Sequence, residues 1–149
     1  MQGVSGAHKA TESAGGIAPG AVFTVDPSRV HLPAALMDPN APHRDSRWLL
    51  VVSCKADCRQ EESHTVLVVI LSAKVEHFWS RHDVVIEKGD GGTDRQCIAQ
   101  GDTVFPMLKS DIVGTGTYKG SVFKSTLGQV RAMIGTLVGL EAVAPGRDA

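Results

Sequence analysis

Short runs of apolar, often β-branched residues recur along the chain and predict a mainly β protein. The two strongest runs are residues 47–53 (RWLLVVS) and 66–72 (VLVVILS), which are too short and too branched to favour helix. A similar run at residues 21–25 (AVFTV) predicts an opening strand. Weaker strands are predicted over residues 82–87, 96–100, 103–109 and 116–123.

The pattern changes to a helical period near the C-terminus. Thr126 and Gln129 match a capping box, in which two side chains satisfy free backbone donors at the start of a helix. Several short strands followed by one helix predict a strongly bent, mostly antiparallel sheet or barrel that this helix caps. The apolar stripe of the helix consists of Leu127, Val130, Ile134, Leu137 and Val138.

Small and polar residues mark the two ends of the chain. Residues 1–19 and 144–149 have too little apolar surface to offset the entropy cost of ordering, so we expect flexible tails there. The folded domain is predicted over residues 20–143. Within this domain, the polar stretch 26–46 contains four prolines and predicts a long loop. Loops of this length are uncommon in compact domains and often carry function.

The composition narrows the classes of protein. With 149 residues, 42% of them hydrophobic, the chain fits one globular domain, and its net charge of −1 excludes a polybasic nucleic-acid binder. The longest strongly apolar run, residues 66–71, is far shorter than the roughly 20 residues that span a bilayer. Three irregularly spaced cysteines predict no disulfide framework and favour the reducing cytoplasm.

The cysteines also raise the question of a zinc site. Cys54 and Cys58 have a spacing within the loose range for zinc ligands, but structural sites usually pair such a knuckle with a second one. The other candidates, His64 and Cys97, are scattered along the chain. We therefore predict reduced cysteines, with no metal and no cofactor.

Arg47 and Ser72 lie at the two outer ends of the strongest strand pair. If these strands form a hairpin in which Ser53 pairs with Val66, antiparallel geometry places Arg47 beside Ser72. A guanidinium next to a hydroxyl suits a phosphate, because both groups donate hydrogen bonds to its oxygens. The alternative is a surface arginine in an ion pair and a serine that merely ends a strand.

Several segments, taken together, match one family in order and spacing. They are GAVFTV (20–25), RWLLVVS (47–53), VVILSAK (68–74), HDVVIE (82–87), KSDI (109–112) and the terminal amphipathic helix. Over roughly residues 20–140 this order resembles the PemK/MazF family of toxin endoribonucleases. In that family an Arg-Pro step leads into a Val-rich strand, and a later strand ends in Ser or Thr.

The resemblance implies an SH3-like barrel that forms a homodimer and cuts single-stranded RNA without a metal. The RNA 2′-hydroxyl would attack the adjacent phosphate and leave a 2′,3′-cyclic phosphate. Arg47 would be the family's essential arginine, with two roles open to it: stabilising the charge on the phosphoryl oxygens and protonating the leaving oxygen. Ser72 would hold the phosphate. The implied partner is an antitoxin with an acidic tail that covers Arg47 and Ser72.

The chain departs from the family pattern near the first of these residues. Trp48 stands where the family has Pro, and the first loop lacks the common Gly-Xaa-Glu-Gln stretch. That loop contains His43 and Arg44 instead, which we expect to contact RNA together with Lys74; His43 is also suited to move a proton. These changes keep open a second hypothesis, a non-catalytic SH3-like binding module for a protein or a nucleic acid.

Two neighbouring aromatic residues have alternative interpretations. Phe78 and Trp79 lie in a segment with His77, Arg81 and His82 and would offer RNA bases a surface for stacking. The other interpretation is that the two rings cap the barrel or are buried in a dimer interface.

Overall fold

The computed structural model describes residues 16–30 and 46–140, which form a single six-stranded antiparallel sheet with helices packed on it. The order across the sheet is β4-β5-β3-β2-β1-β6. The strands are β1 (Ala21–Val25), β2 (Arg47–Val51), β3 (Thr65–Ser72), β4 (Asp83–Ile86), β5 (Cys97–Leu108) and β6 (Thr117–Ser121). The sheet curls into a half-barrel, so the predicted mainly β, barrel-like architecture with a C-terminal helix is confirmed.

The hairpin of β2 and β3 forms the centre of the sheet and has the register assumed from the sequence. Val51 pairs with Val68, and Trp48 pairs with Leu71. Because side chains alternate between faces, Leu49, Val51 and Ile70 contribute to one apolar cluster and Leu50 contributes to the other. Both faces of this hairpin are therefore buried, which explains why its residues form nearly continuous apolar runs.

β5 is one long strand where the sequence pattern predicted two. Its pairing with β3 shifts register between Val68 and Ile70, at the level of Thr103. The Thr103 hydroxyl accepts a hydrogen bond from the Ile70 N–H (3.1 Å) and donates one to the Gln100 carbonyl (2.6 Å). This side chain replaces ladder bonds at the irregularity, so the strand continues through the polar segment that suggested a break.

In the part of the chain that the structure describes, three α-helices pack on the sheet: α1 (Lys55–Arg59), α2 (Lys109–Thr115) and α3 (Lys124–Leu137). The sequence pattern predicted only the last one, and α1 and α2 are too short to show a helical period. α2 buries Ile112 in the cluster on the Val51 face of the sheet, whereas α3 buries Val130 in the cluster on the Leu50 face.

The start of α3 differs from the prediction. The helix begins at Lys124, and Thr126 lies inside its first turn instead of forming a capping box with Gln129. The carboxylate of Asp90 takes the capping role: it accepts hydrogen bonds from the Phe123 N–H (2.8 Å) and from the Thr126 hydroxyl (2.5 Å). The capping group thus comes from a turn more than thirty positions earlier in the chain.

The turn that contains Asp90 is held tightly against β6. Gly91 and Gly92 have positive φ angles of 71° and 74°, and a Cβ atom on Gly92 would collide with the carbonyl oxygen of Lys119. Only glycine fits this close approach, so the predicted glycine turn is also the contact that places residues 93–95 beside the sheet.

The packed region begins before the predicted domain start. Ile17 is buried in the core, although it falls in the segment 1–19 that the composition assigned to a tail. Within the described ranges, none of the helices is long and apolar enough to cross a membrane.

Candidate functional site

Arg47 and Ser72 lie at the same end of the central hairpin. The pairing of Trp48 with Leu71 continues by one step to bring Arg47 opposite Ser72, and Val25 of β1 pairs with Arg47 on its other side. Alternation of side chains directs Arg47 and Ser72 to the same face of the sheet. The juxtaposition expected from the sequence is therefore present in the backbone register.

Both residues are partly exposed, as a site for a solvated ligand requires. The Ser72 hydroxyl oxygen accepts a hydrogen bond from the Lys74 N–H at 3.2 Å, which fixes the side chain at the end of β3. That bond uses an oxygen lone pair, so the hydroxyl hydrogen can still be donated to an anionic oxygen. The local turn therefore orients Ser72 without consuming its donor.

Of the three predicted RNA-binding residues, the structure describes only Lys74. Lys74 is exposed and precedes a short 3-10 turn, Val75–His77, so it lies two positions from Ser72 at the same end of the hairpin. His43 and Arg44 lie outside the described residues, as does most of the proline-containing loop that leads to Arg47.

A pocket of about 210 Å³ adjoins Arg47 at the end of strands β2, β3 and β5. Arg47 belongs to its wall, whereas Ser72 does not; the neighbouring Ala73 takes that place. Trp48 and Leu71, which point to the face opposite Arg47 and Ser72, form its apolar part. The lining residues are Ser46, Arg47, Trp48, Leu71, Ala73, Thr93, Asp94, Arg95 and Cys97.

Charged side chains surround this pocket, which we call the Trp48 pocket. The ammonium of Lys119 lies 5.3 Å from the centre of the Trp48 ring, within the range of a cation–π contact. Arg95 lies 3.6 Å from the Asp94 carboxylate, and both side chains are mostly exposed. Arg47, Arg95 and Lys119 therefore bring three cationic side chains to this end of the protein.

Sequence reasoning did not identify Arg95, Asp94 or Lys119. They are distant from Arg47 in the chain and reach the site through the glycine turn and the edge strand β6. The only sequence signal was the Asp94-Arg95 pair directly after a glycine-rich turn, which by itself is typical of an exposed loop.

Cys97 forms part of the pocket wall, but its thiol is not an activated nucleophile. Burial, together with the nearby carboxylates of Asp90 and Asp94, raises the pKa of this thiol to about 11. The thiol is therefore protonated near neutral pH and acts as a small apolar side chain. Among residues 16–30 and 46–140, no three His, Cys, Asp or Glu side chains are grouped as metal ligands would be.

A larger pocket, of about 490 Å³, lies at the opposite end of the hairpin. Ile17, His64, Leu108 and Lys109 are among its lining residues. The eight residues of β3, about 24 Å of chain at roughly 3.4 Å per residue, separate this pocket from Ser72. It is a separate feature and does not extend the site at Arg47.

The curled antiparallel sheet with its C-terminal helix defines the class of fold, and solved structures described as endoribonucleases and as MazF share it. An endoribonuclease from Mycobacterial species is 19% identical, with a TM-score of 0.60 over 85% of this chain and 94% of that one. A second structure, an endoribonuclease in complex with its cognate antitoxin from Mycobacterial species, is also 19% identical. Its TM-score is 0.60 over 85% of this chain and 98% of that one.

A MazE-MazF structure from Deinococcus radiodurans is similar at 13% identity and a TM-score of 0.59, over 84% of this chain and 97% of that one. No family model and no curated protein matches the sequence. At these identities the likeness establishes the fold, which confirms the resemblance to the PemK/MazF family at the level of structure.

Proposed function

We propose that the protein is the toxin of a toxin–antitoxin pair and a metal-independent endoribonuclease that cleaves single-stranded RNA. The observation that supports this most directly is the register that brings Arg47 opposite Ser72 at an accessible strand end. The fold shared with endoribonuclease toxins adds to it. In this proposal the protein is a cytoplasmic homodimer.

The reaction needs a charge stabiliser, a phosphate anchor and a route for one proton. The RNA 2′-oxygen bonds to the adjacent phosphorus, the bond from phosphorus to the 5′-oxygen breaks, and a 2′,3′-cyclic phosphate and a 5′-hydroxyl result. Arg47 keeps its proton and stabilises the extra negative charge on the phosphoryl oxygens. Ser72 donates a hydrogen bond to the same phosphate and holds it in line for attack.

The proton route is assigned to the loop before β2. In the proposal His43 takes the proton of the 2′-hydroxyl and returns it to the departing 5′-oxygen, which balances the reaction without a metal. Arg44 and Lys74 add positive charge for the flanking phosphates. An antitoxin's acidic tail would compete for the same cations, so it would cover Arg47 and Ser72 in the inhibited complex.

The test is cleavage of a defined RNA in the presence of EDTA, with the fragment ends identified by mass spectrometry. We expect 2′,3′-cyclic phosphate ends from the wild type and no cut at a position whose attacking nucleotide is 2′-deoxy. Arg47→Ala should lower the rate by about 100-fold or more, as loss of a donor to a developing oxyanion does. Arg59→Ala, an exposed arginine of α1 near the other pocket, is the matched control and should cleave normally.

A non-catalytic binding module is the second candidate, and the tryptophan in place of the family's Pro after Arg47 favours it. The same assay separates the two. Binding of the RNA without any cleavage by the wild type would support the binding module. Cleavage that survives unchanged in Arg47→Ala would refute the proposed mechanism.

A further inference from the structure

The Trp48 pocket combines an apolar wall with a polar rim. Trp48 and Leu71 form the wall, and the buried Cys97 thiol, which stays protonated, closes it from the side of β5. Asp94 and Arg95 form an exposed rim that offers both an acceptor and a donor group. Such a lining suits a flat ring system as ligand, because the faces of such a ring are apolar and its edges form hydrogen bonds.

The volume of the pocket limits what it can hold. At about 210 Å³ it is smaller than the roughly 300 Å³ at which sites for drug-sized ligands begin. It therefore fits a fragment such as one nucleobase instead of a complete nucleotide, whose phosphate would remain outside at the rim.

The position of the pocket connects it to the phosphate site. Arg47 belongs to the pocket wall, although Arg47 and Ser72 share one face of the sheet and Trp48 and Leu71 lie on the other. A phosphate held by Arg47 and Ser72 would thus have a neighbouring base within reach of the pocket, around the end of the strands. The tight contact between the glycine turn and β6 fixes the rim, because Gly92 packs on the Lys119 backbone and residues 93–95 follow it directly into the pocket wall.

We propose that the Trp48 pocket binds the nucleobase adjacent to the cleaved phosphate and sets the base preference of the enzyme at that position. Trp48 packs against the ring, and the Arg95 guanidinium adds stacking and charge. The Asp94 carboxylate accepts a hydrogen bond from an exocyclic amino group, which selects against uracil at that position. This inference rests on the proposed endoribonuclease function and adds specificity-determining residues to it.

The test uses a pool of RNA randomised around a central segment, whose cleavage ends are sequenced. In the wild type we expect a base preference at one position beside the cut. Trp48→Ala should weaken that preference about tenfold or more, the usual effect of removing a stacking ring, while Trp48→Phe should retain most of it. Asp94→Asn, an exposed and conservative change, should alter which base is preferred without changing the fold.

Phe123→Ala is the control, since Phe123 is an exposed aromatic residue that lies outside the pocket. Binding of an uncleavable RNA with 2′-deoxy at the attacking nucleotide gives a second readout. An abasic nucleotide at the preferred position should weaken binding to the wild type about tenfold and have little effect on binding to Trp48→Ala.

The failures of the two proposals are distinguishable. If Arg47→Ala abolishes cleavage while Trp48→Ala and Asp94→Asn leave the base preference unchanged, the nucleobase site is wrong and the endoribonuclease function stands. A base preference that changes in Phe123→Ala and not in the pocket variants also overturns the inference. If the wild type does not cleave RNA, the proposed function itself fails.

Discussion

Asp90 provides the most informative test of how this fold is stabilised, because one buried carboxylate joins the glycine turn to the start of α3. Its two oxygens accept hydrogen bonds from the Phe123 N–H at 2.8 Å and the Thr126 hydroxyl at 2.5 Å. Asp90→Ala removes a helix cap worth about 1 kcal/mol and leaves two donors with no partner at a position where Asp90 is only 6% exposed. Together these losses should lower the free energy of unfolding by about 2–4 kcal/mol.

The measurement is urea unfolding followed by circular dichroism, with three companion variants. Asp90→Asn keeps an acceptor for the Phe123 N–H but removes the charge. Its free energy of unfolding should therefore lie between those of the wild type and Asp90→Ala. Thr126→Val should lower the free energy of unfolding by about 1–2 kcal/mol. The double variant Asp90→Ala with Thr126→Val should lose less than the sum of the two single losses, because both substitutions remove the same hydrogen bond. A loss below about 0.5 kcal/mol for Asp90→Ala, or strict additivity in the double variant, would refute this account of the cap.

Two further predictions concern titratable groups in the core. Burial raises the pKa of Cys58 and of Cys97 to about 11. Iodoacetamide at pH 8 should therefore modify only the exposed Cys54 in the folded protein, and all three thiols in urea. Equal labelling of the three thiols in the folded state would contradict the burial of Cys58 and Cys97. Burial also raises the pKa of Asp83 above its ordinary value of 3.8, so its contribution to stability is largest below that value and declines as the pH rises through the raised pKa. Asp83→Asn, whose amide oxygen can still accept the Trp79 N–H, should therefore gain stability relative to the wild type as the pH rises, and a difference that does not vary with pH would contradict the shift.

The central hairpin was predictable from the sequence because its two strands are nearly continuous apolar runs of equal length. A slip of one residue would exchange every side chain between the faces, and the polar ends at Arg47 and Ser72 leave only one register that buries the apolar part fully. The position of Arg47 opposite Ser72, one step beyond the last pair of these strands, follows from the same constraint. The opening strand β1 was predictable for a similar reason, since its residues combine β-branched or aromatic character with a proline just after the end.

The errors occurred where a distant side chain substitutes for a local backbone interaction. Thr103 bridges the irregularity in β5, so a segment with a turn-like composition remains part of a strand. Asp90 caps α3 from a separate turn, so the helix starts before the residues that match a capping box. Neither contact leaves a periodic signal, because each depends on two segments that meet only after folding.

The sequence by itself therefore determined the two central strands, their antiparallel register and the arginine–serine pair at one end. Only the tertiary structure decided what surrounds that pair. Trp48, Arg95 and Lys119 meet because a glycine turn packs closely on β6, and side chains from three separate parts of the chain line one small pocket. Local patterns specify which residues are buried and how neighbouring strands align, whereas the composition of a pocket depends on long-range packing that no single segment encodes.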